Sequence, residues 1–217
     1  MHDYLVDRGL RAASTISLVM PFQIPIPPSP EASRALFAAF AERDIEWVPE
    51  RMVTALDTDR KVAVCSDGSE VPYDLFLGVP VHRAPEAVTT SVLAVDGWIP
   101  VDPLTLETAF PDVFAVGDVT SVGTPKAGVF AEGQAAVVAS QIIARIGGDG
   151  APVTYDGRGV CYLEFGRDLV GKVTVTFLSG EAPTGGLEGP SEAIATDKVA
   201  FGTSRVHRWF GRQWAVG

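Results

Sequence analysis

The chain has 217 residues, 47% of them apolar, a mean hydropathy of +0.20, and 27 acidic against 17 basic side chains for a net charge of −10. This is enough apolar material for one large domain or two small ones, and the scattered basic residues give no face for tracking phosphates, which argues against a nucleic-acid partner. No apolar run reaches the ~18–20 residues of a membrane span. The opening "MHDYLVDRGLR" is charged where a secretory segment is apolar, so a cytoplasmic location is expected. Cys65 and Cys161, outside C-x-x-C spacing, form neither a disulfide framework nor a zinc site.

"MHDYLVDRG" reads as a helix closed by Gly9 in the left-handed region, and "STISLVMP" (14–21) as a buried strand rich in branched residues. "SPEASRALFAAFAERD" predicts a helix with Ser29 as N-cap, Pro30 in the first helical position, and Ala32, Ala35, Leu36, Ala39 and Phe40 on one face. "IEWVP", "MVTALD", "KVAVCSDG" and "EVPYDLFLGVP" predict short strands broken at Asp57–Arg60 and Asp67-Gly68: a small antiparallel excursion followed by a return strand. Residues 95–118 read as an extended crossover, 128–146 as a long helix stopped by Gly147-Gly148, and "GGDGAP" as a linker. "GRGVCYLEFGRDLVGKVTVTFLSG" alternates as a β-hairpin. A Pro/Gly-rich loop then leads to a last helix over "PSEAIATDKVAFGTSRVHRWF".

Chemistry concentrates in residues 114–143, "FAVGDVTSVGTPKAGVFAEGQAAVVASQII". Strand, loop and helix in that order place Asp118 at the carboxyl end of a strand, where open α/β sheets bind ligands. A carboxylate there accepts hydrogen bonds from the hydroxyls of a sugar or polyol. The loop from Gly123 to Gly128 aims the N-terminus of the next helix at the same place, offering free N–H groups and the positive end of its dipole.

"TLETAFPDVFAVGDV" followed by "PKAGVFAEGQAAVVA" resembles the second flavin-binding motif of FAD-dependent pyridine nucleotide–disulfide oxidoreductases. The "TPKAG" loop and "CYLEFG" hairpin are most similar to the branch of sulfide:quinone oxidoreductases and flavocytochrome c sulfide dehydrogenases. The resemblance implies that Asp118 binds a ribityl hydroxyl of FAD, that Gly117 and Val119 approach the cofactor through backbone, and that Lys126, Ala127 and Gly128 lie along the pyrimidine edge of the flavin. It also makes Cys161 and Lys126 candidate catalytic residues, Cys161 as a redox thiol.

The implied fold is α/β: part of a flavoprotein with two dinucleotide-binding domains and a C-terminal capping domain of β-hairpin plus helix. Residues 1–95 then correspond to the latter part of the pyridine-nucleotide-like domain, 96–150 to the returning segment of the FAD domain, and 151–217 to the flavin-capping domain. The family's first motif, G-x-G-x-x-G for the ADP moiety, has no counterpart in these residues, and neither has a Cys-Pro loop. The expected activity is electron transfer from a sulfur donor through FAD to a quinone or cytochrome. NAD(P)H-dependent flavin reduction, or a truncated non-enzymatic half needing an N-terminal partner, is the alternative, and an N-terminal half or a second copy of the chain is an expected partner. Cys65 reads as structural, His82 as a loop or interdomain hydrogen-bonding residue, and His2 and His207 carry no signal. Trp209, Phe210 and Trp214, near Arg205, Arg208 and Arg212, suit core packing or contact with a membrane face.

Overall fold

The computed structural model describes residues 1–213, so Trp214 lies outside the described residues. The chain is mixed α/β and its described residues fall into two units, residues 1–78 with 161–173 and 186–213, and residues 79–160 with 174–185.

In the first unit, helix α1 (His2–Asp7) ends as its sequence predicts. Gly9 has φ +66°, its N–H reaches the Val6 carbonyl at 2.9 Å, and that of Leu10 reaches Leu5 at 2.8 Å, the paired bonds of a Schellman stop. Strands β1 (Ile16–Val19) and β2 (Ile45–Val48) run parallel, joined by helix α2 (Pro30–Glu42). The fully buried Ser29 caps α2 by accepting the Ala32 N–H at 3.2 Å, and Ser33 Oγ both accepts from and donates to the Ile26 backbone at 3.0 Å. Phe37 and Phe40 pack their rings 5.6 and 6.2 Å from Trp47 on β2, which is why this apolar stripe folds as a helix over the strand pair.

Strands β3 (Val53–Asp57), β4 (Val62–Cys65) and β5 (Glu70–Pro72) form the expected antiparallel excursion. The predicted return strand does not extend past Pro72. Leu75, Leu77, Val79 and Val81 alternate as a strand would, but no neighbouring strand pairs with them and they are 65–85% exposed. Alternation indicates a face to bury and cannot supply the partner.

The C-terminal hairpin, β6 (Arg158–Gly166) and β7 (Leu169–Thr176), turns on Arg167 and Asp168, both with positive φ as a two-residue primed turn requires. A third strand, β8 (Thr184–Ser191), adds to β7 where the sequence reads as loop. Its glycines and proline lower intrinsic strand propensity, and pairing along β7 overrides it. Helix α5 (Glu192–Phe210) follows, capped by Ser191 and stopped by Gly211 at φ +62°.

The second unit holds α3 (Glu86–Thr89), helix α4 (Gly128–Arg145) and long irregular segments between them. Contrary to expectation, residues 113–116 form no regular strand. Phe114 makes an isolated antiparallel bridge to Glu107, and Gly117–Val119 is one turn of 3-10 helix. Anchoring comes instead from a small core of Leu106, Val122, Val137 and Tyr155, with Val101, Val116 and Val138 packed on it. Val116 and Val122 bracket the 3-10 turn, so the turn is pinned on both sides. The Arg145 guanidinium closes the 107–114 loop against the C-terminal end of α4, donating to Glu107 at 2.6 and 2.7 Å and to Asp112 at 2.7 Å.

Arginine holds the Glu107 carboxyl down at about 2, from an ordinary 4.5. A depressed acid stabilises the fold at pH values above its unfolded pKa, and that contribution is lost as pH falls toward the folded value. Thermal melts between pH 6 and pH 2 should therefore show a loss beginning near pH 4.5, and Glu107→Gln should lower stability at pH 6 while shrinking the acid-dependent loss. Identical pH dependence in both proteins would show the pair to be inert.

Candidate functional site

The polypeptide from Val116 to Val122 leaves the core, turns once and returns. Gly117 adopts φ +76°, and an added Cβ would stand 3.2 Å from Ala131 Cβ on α4, so glycine is required here both by conformation and by close packing. Its carbonyl accepts the Thr120 N–H at 3.1 Å and the Thr120 hydroxyl at 2.9 Å, closing the turn on itself. Its own N–H donates to Gln134 Oε1 at 2.6 Å, and Gln134 Nε2 donates to Thr124 Oγ1 at 3.3 Å. The Tyr155 hydroxyl is buried beside Gln134 and Thr124 without a hydrogen bond of ordinary geometry, and burial pushes its pKa up.

Asp118 sits at the apex of this turn, exposed, and among the described residues its carboxylate accepts no hydrogen bond. Lys126 lies beside it. The ammonium donates to the Asp118 carbonyl at 2.7 Å and the Thr120 carbonyl at 3.1 Å, and stands 3.6 Å from the centre of the Trp98 ring. Burial pulls the Lys126 pKa down, and the nearby Asp118 charge opposes that. Asp118, Val119, Lys126, Trp98, His82 and Arg83 line a cavity of about 280 Å³, near the lower end of ligand-pocket sizes. Next to it, α4 starts at Ala127 with no side-chain cap, and Gly128 faces open space. The first N–H groups of an 18-residue helix are thus left for a ligand.

The structure therefore brings together Gly117, Asp118, Val119, Lys126, Ala127 and Gly128, six of the seven residues singled out from sequence. The seventh, Cys161, is on β6 in the first unit, exposed, with its thiol pushed up by the protein around it; Cys65 is 2% exposed on β4. A short iodoacetamide pulse read by mass spectrometry should label Cys161 before Cys65, yet more slowly than a free thiol at neutral pH, because the thiolate is disfavoured. Faster labelling of Cys65 would reverse this assignment. His82 is a loop residue on the cavity wall. Trp98, Arg83 and Gln134 escaped sequence reasoning: the first two are distant in sequence from the Asp118 motif, and Gln134 falls in what reads as an ordinary helix interior.

The family model for pyridine nucleotide-disulphide oxidoreductases matches residues 11–141. A mitochondrial sulfide:quinone oxidoreductase of Schizosaccharomyces pombe is 32% identical over 120 residues, covering 52% of this chain and 26% of that protein. A sulfide-quinone reductase of Aquifex aeolicus is 28% identical over 147 residues, 59% of this chain and 34% of the relative. Among solved structures, the sulfide:quinone oxidoreductase of Aquifex aeolicus shares the fold with a TM-score of 0.71 at 18% identity, over 98% of this chain and 58% of its own. A ferredoxin reductase of Rhodopseudomonas palustris gives 0.55 at 24% identity, over 79% of this chain and 44% of its own. The chain thus spans 26% and 34% of the two sequence relatives and 58% of the first structure.

Proposed function

The chain belongs to the pyridine nucleotide-disulphide oxidoreductase family, and from that premise we propose that it supplies the ribityl- and ring-facing side of an FAD site in an enzyme of the sulfide:quinone oxidoreductase type. One observation carries the reading: a carboxylate that accepts no hydrogen bond, Asp118, meets a cavity of about 280 Å³ beside the uncapped start of α4. When bound, FAD supplies two-electron transfer between a sulfur donor and a quinone or cytochrome.

The residues fit one end of that cofactor. Asp118 accepts hydrogen bonds from the ribityl hydroxyls, and Gly117 and Val119 give it a close backbone floor. The N–H groups of Gly128 and Val129, with Lys126 behind them, hold negative charge on the ring system, since dipole and ammonium add there. Trp98 and Val119 give one part of the cavity lining an apolar surface. For Cys161, an exposed thiol on β6, a redox role rests on the family resemblance alone. For a quinone partner, no helix among the described residues is long and apolar enough to cross a membrane, and Trp209 and Phe210, 55% and 68% exposed at the end of α5, suit a peripheral contact.

Riboflavin, which carries the ribityl chain and ring without the ADP half, tests the reading. Titrating protein into riboflavin should quench its fluorescence saturably. No saturable quenching at ~1 mM protein would overturn the proposal, because that limit corresponds to only about 4 kcal/mol of binding.

A further inference from the structure

We infer that Gln134 is a positioning residue that sets the Asp118 turn from beneath; the inference rests on the flavin reading above. The buried stripe of α4 is Phe130, Gln134, Val137 and Gln141, so a primary amide occupies a place on that face where an apolar side chain would pack without cost. Gln134 is 1% exposed. An amide so buried must find partners, and those it finds are the two segments that build the site: the Gly117 N–H at 2.6 Å and the Thr124 hydroxyl at 3.3 Å. Gln141 makes a different use of its amide, donating to the Val153 carbonyl at 3.0 Å, away from the site.

The crevice between the turn and α4, lined by Gly117, Thr120, Thr124, Phe130, Ala131 and Gln134, has no room for a water molecule. No solvent can replace the amide there. With Gly117 at positive φ and its N–H tied to Gln134, the following residue leaves the turn in one direction, outward, carrying the Asp118 carboxylate to the cavity. The longer bond, to Thr124, fixes the amide so that its oxygen faces the Gly117 N–H. Gln134 therefore orients the polyol acceptor from a position closed to solvent.

The test is a double-mutant cycle with riboflavin as the probe. Gln134→Leu should weaken riboflavin binding about tenfold, and Asp118→Ala by more. If Gln134 acts through Asp118, the double variant should bind no worse than Asp118→Ala alone, within about threefold. Gln134→Glu, which keeps an acceptor for Gly117 and can accept from the Thr124 hydroxyl, should recover most of the loss. The Gly117 amide resonance should move in Gln134→Leu and return in Gln134→Glu. Unchanged affinity in Gln134→Leu, or additive losses in the double variant, would overturn the inference while leaving the flavin reading intact. Failure of the wild-type protein to bind riboflavin would overturn both. Should Gln134→Leu not fold, Gln134→Met takes its place in the cycle, and additivity of Gln134→Met with Asp118→Ala overturns the inference equally.

Discussion

Replacing Asp118 by alanine should weaken flavin binding roughly ten- to hundredfold while leaving the melting temperature within about a degree of wild type. The affinity loss follows from removing a charge-assisted hydrogen bond, worth ~1.5–3 kcal/mol, at a site with no second carboxylate on the cavity wall. The unchanged stability follows from the structure. The side chain is exposed, its carboxylate accepts no hydrogen bond among the described residues, and the backbone features that shape the turn survive the substitution. These are the Gly117 N–H on Gln134, the Thr120 N–H and hydroxyl on the Gly117 carbonyl, and the Lys126 ammonium on the Asp118 carbonyl. Asp118→Asn keeps an acceptor without the charge and should fall between the two. Equal riboflavin affinity in wild type and Asp118→Ala would remove Asp118 from the site, whatever the family resemblance implies.

How much of this was legible in the sequence depended on whether the determining physics was local. Gly9 and Gly147 stop helices and Ser29 starts one, because each choice is made within a few residues of chain. The start of α4 after the "PKAG" loop was legible for the same reason, whereas the six residues around Asp118 and Lys126 were picked out mainly through the family resemblance and the turn at Gly117–Val119 was read as the end of a strand. What was lost depends on partners remote in sequence. β8 is a strand only because β7 lies alongside it, the stretch after Pro72 is not one because nothing lies alongside it, and residues 113–116 are held by side-chain packing and one bridge. Gln134 looks like any polar helix residue until its burial is known. Trp98 has no signal until the Lys126 ammonium is seen over its ring.

The polypeptide of residues 1–217, purified alone, should fail to retain FAD through a desalting column and should self-associate. The first expectation comes from the split of contacts along the cofactor. On the reading proposed above, Asp118, the start of α4 and the cavity of about 280 Å³ would serve the ribityl and ring end, whereas the ADP end of a dinucleotide is held by a glycine turn at a helix N-terminus, and no G-x-G-x-x-G occurs in these residues. Each missing ~1.4 kcal/mol costs tenfold, and a seated pyrophosphate is worth several such interactions, so binding weaker than micromolar is expected, too weak to survive dilution on a column. Self-association follows from surface composition. Among the described residues, Leu75, Leu77, Val79 and Val81 present apolar side chains at 65–85% exposure along a stretch that pairs with no strand, and β1–β2 is a sheet of two strands with no further strand paired to it. Unpaired strand edges and contiguous apolar surface both favour association. Replacing Leu77 and Val79 with lysine should then shift the size-exclusion profile toward monomer without reducing riboflavin affinity, since neither residue lines the cavity. A wild-type protein that elutes as a monomer with one FAD per chain would show that these residues complete the site by themselves, and the division of contacts argued here would be wrong.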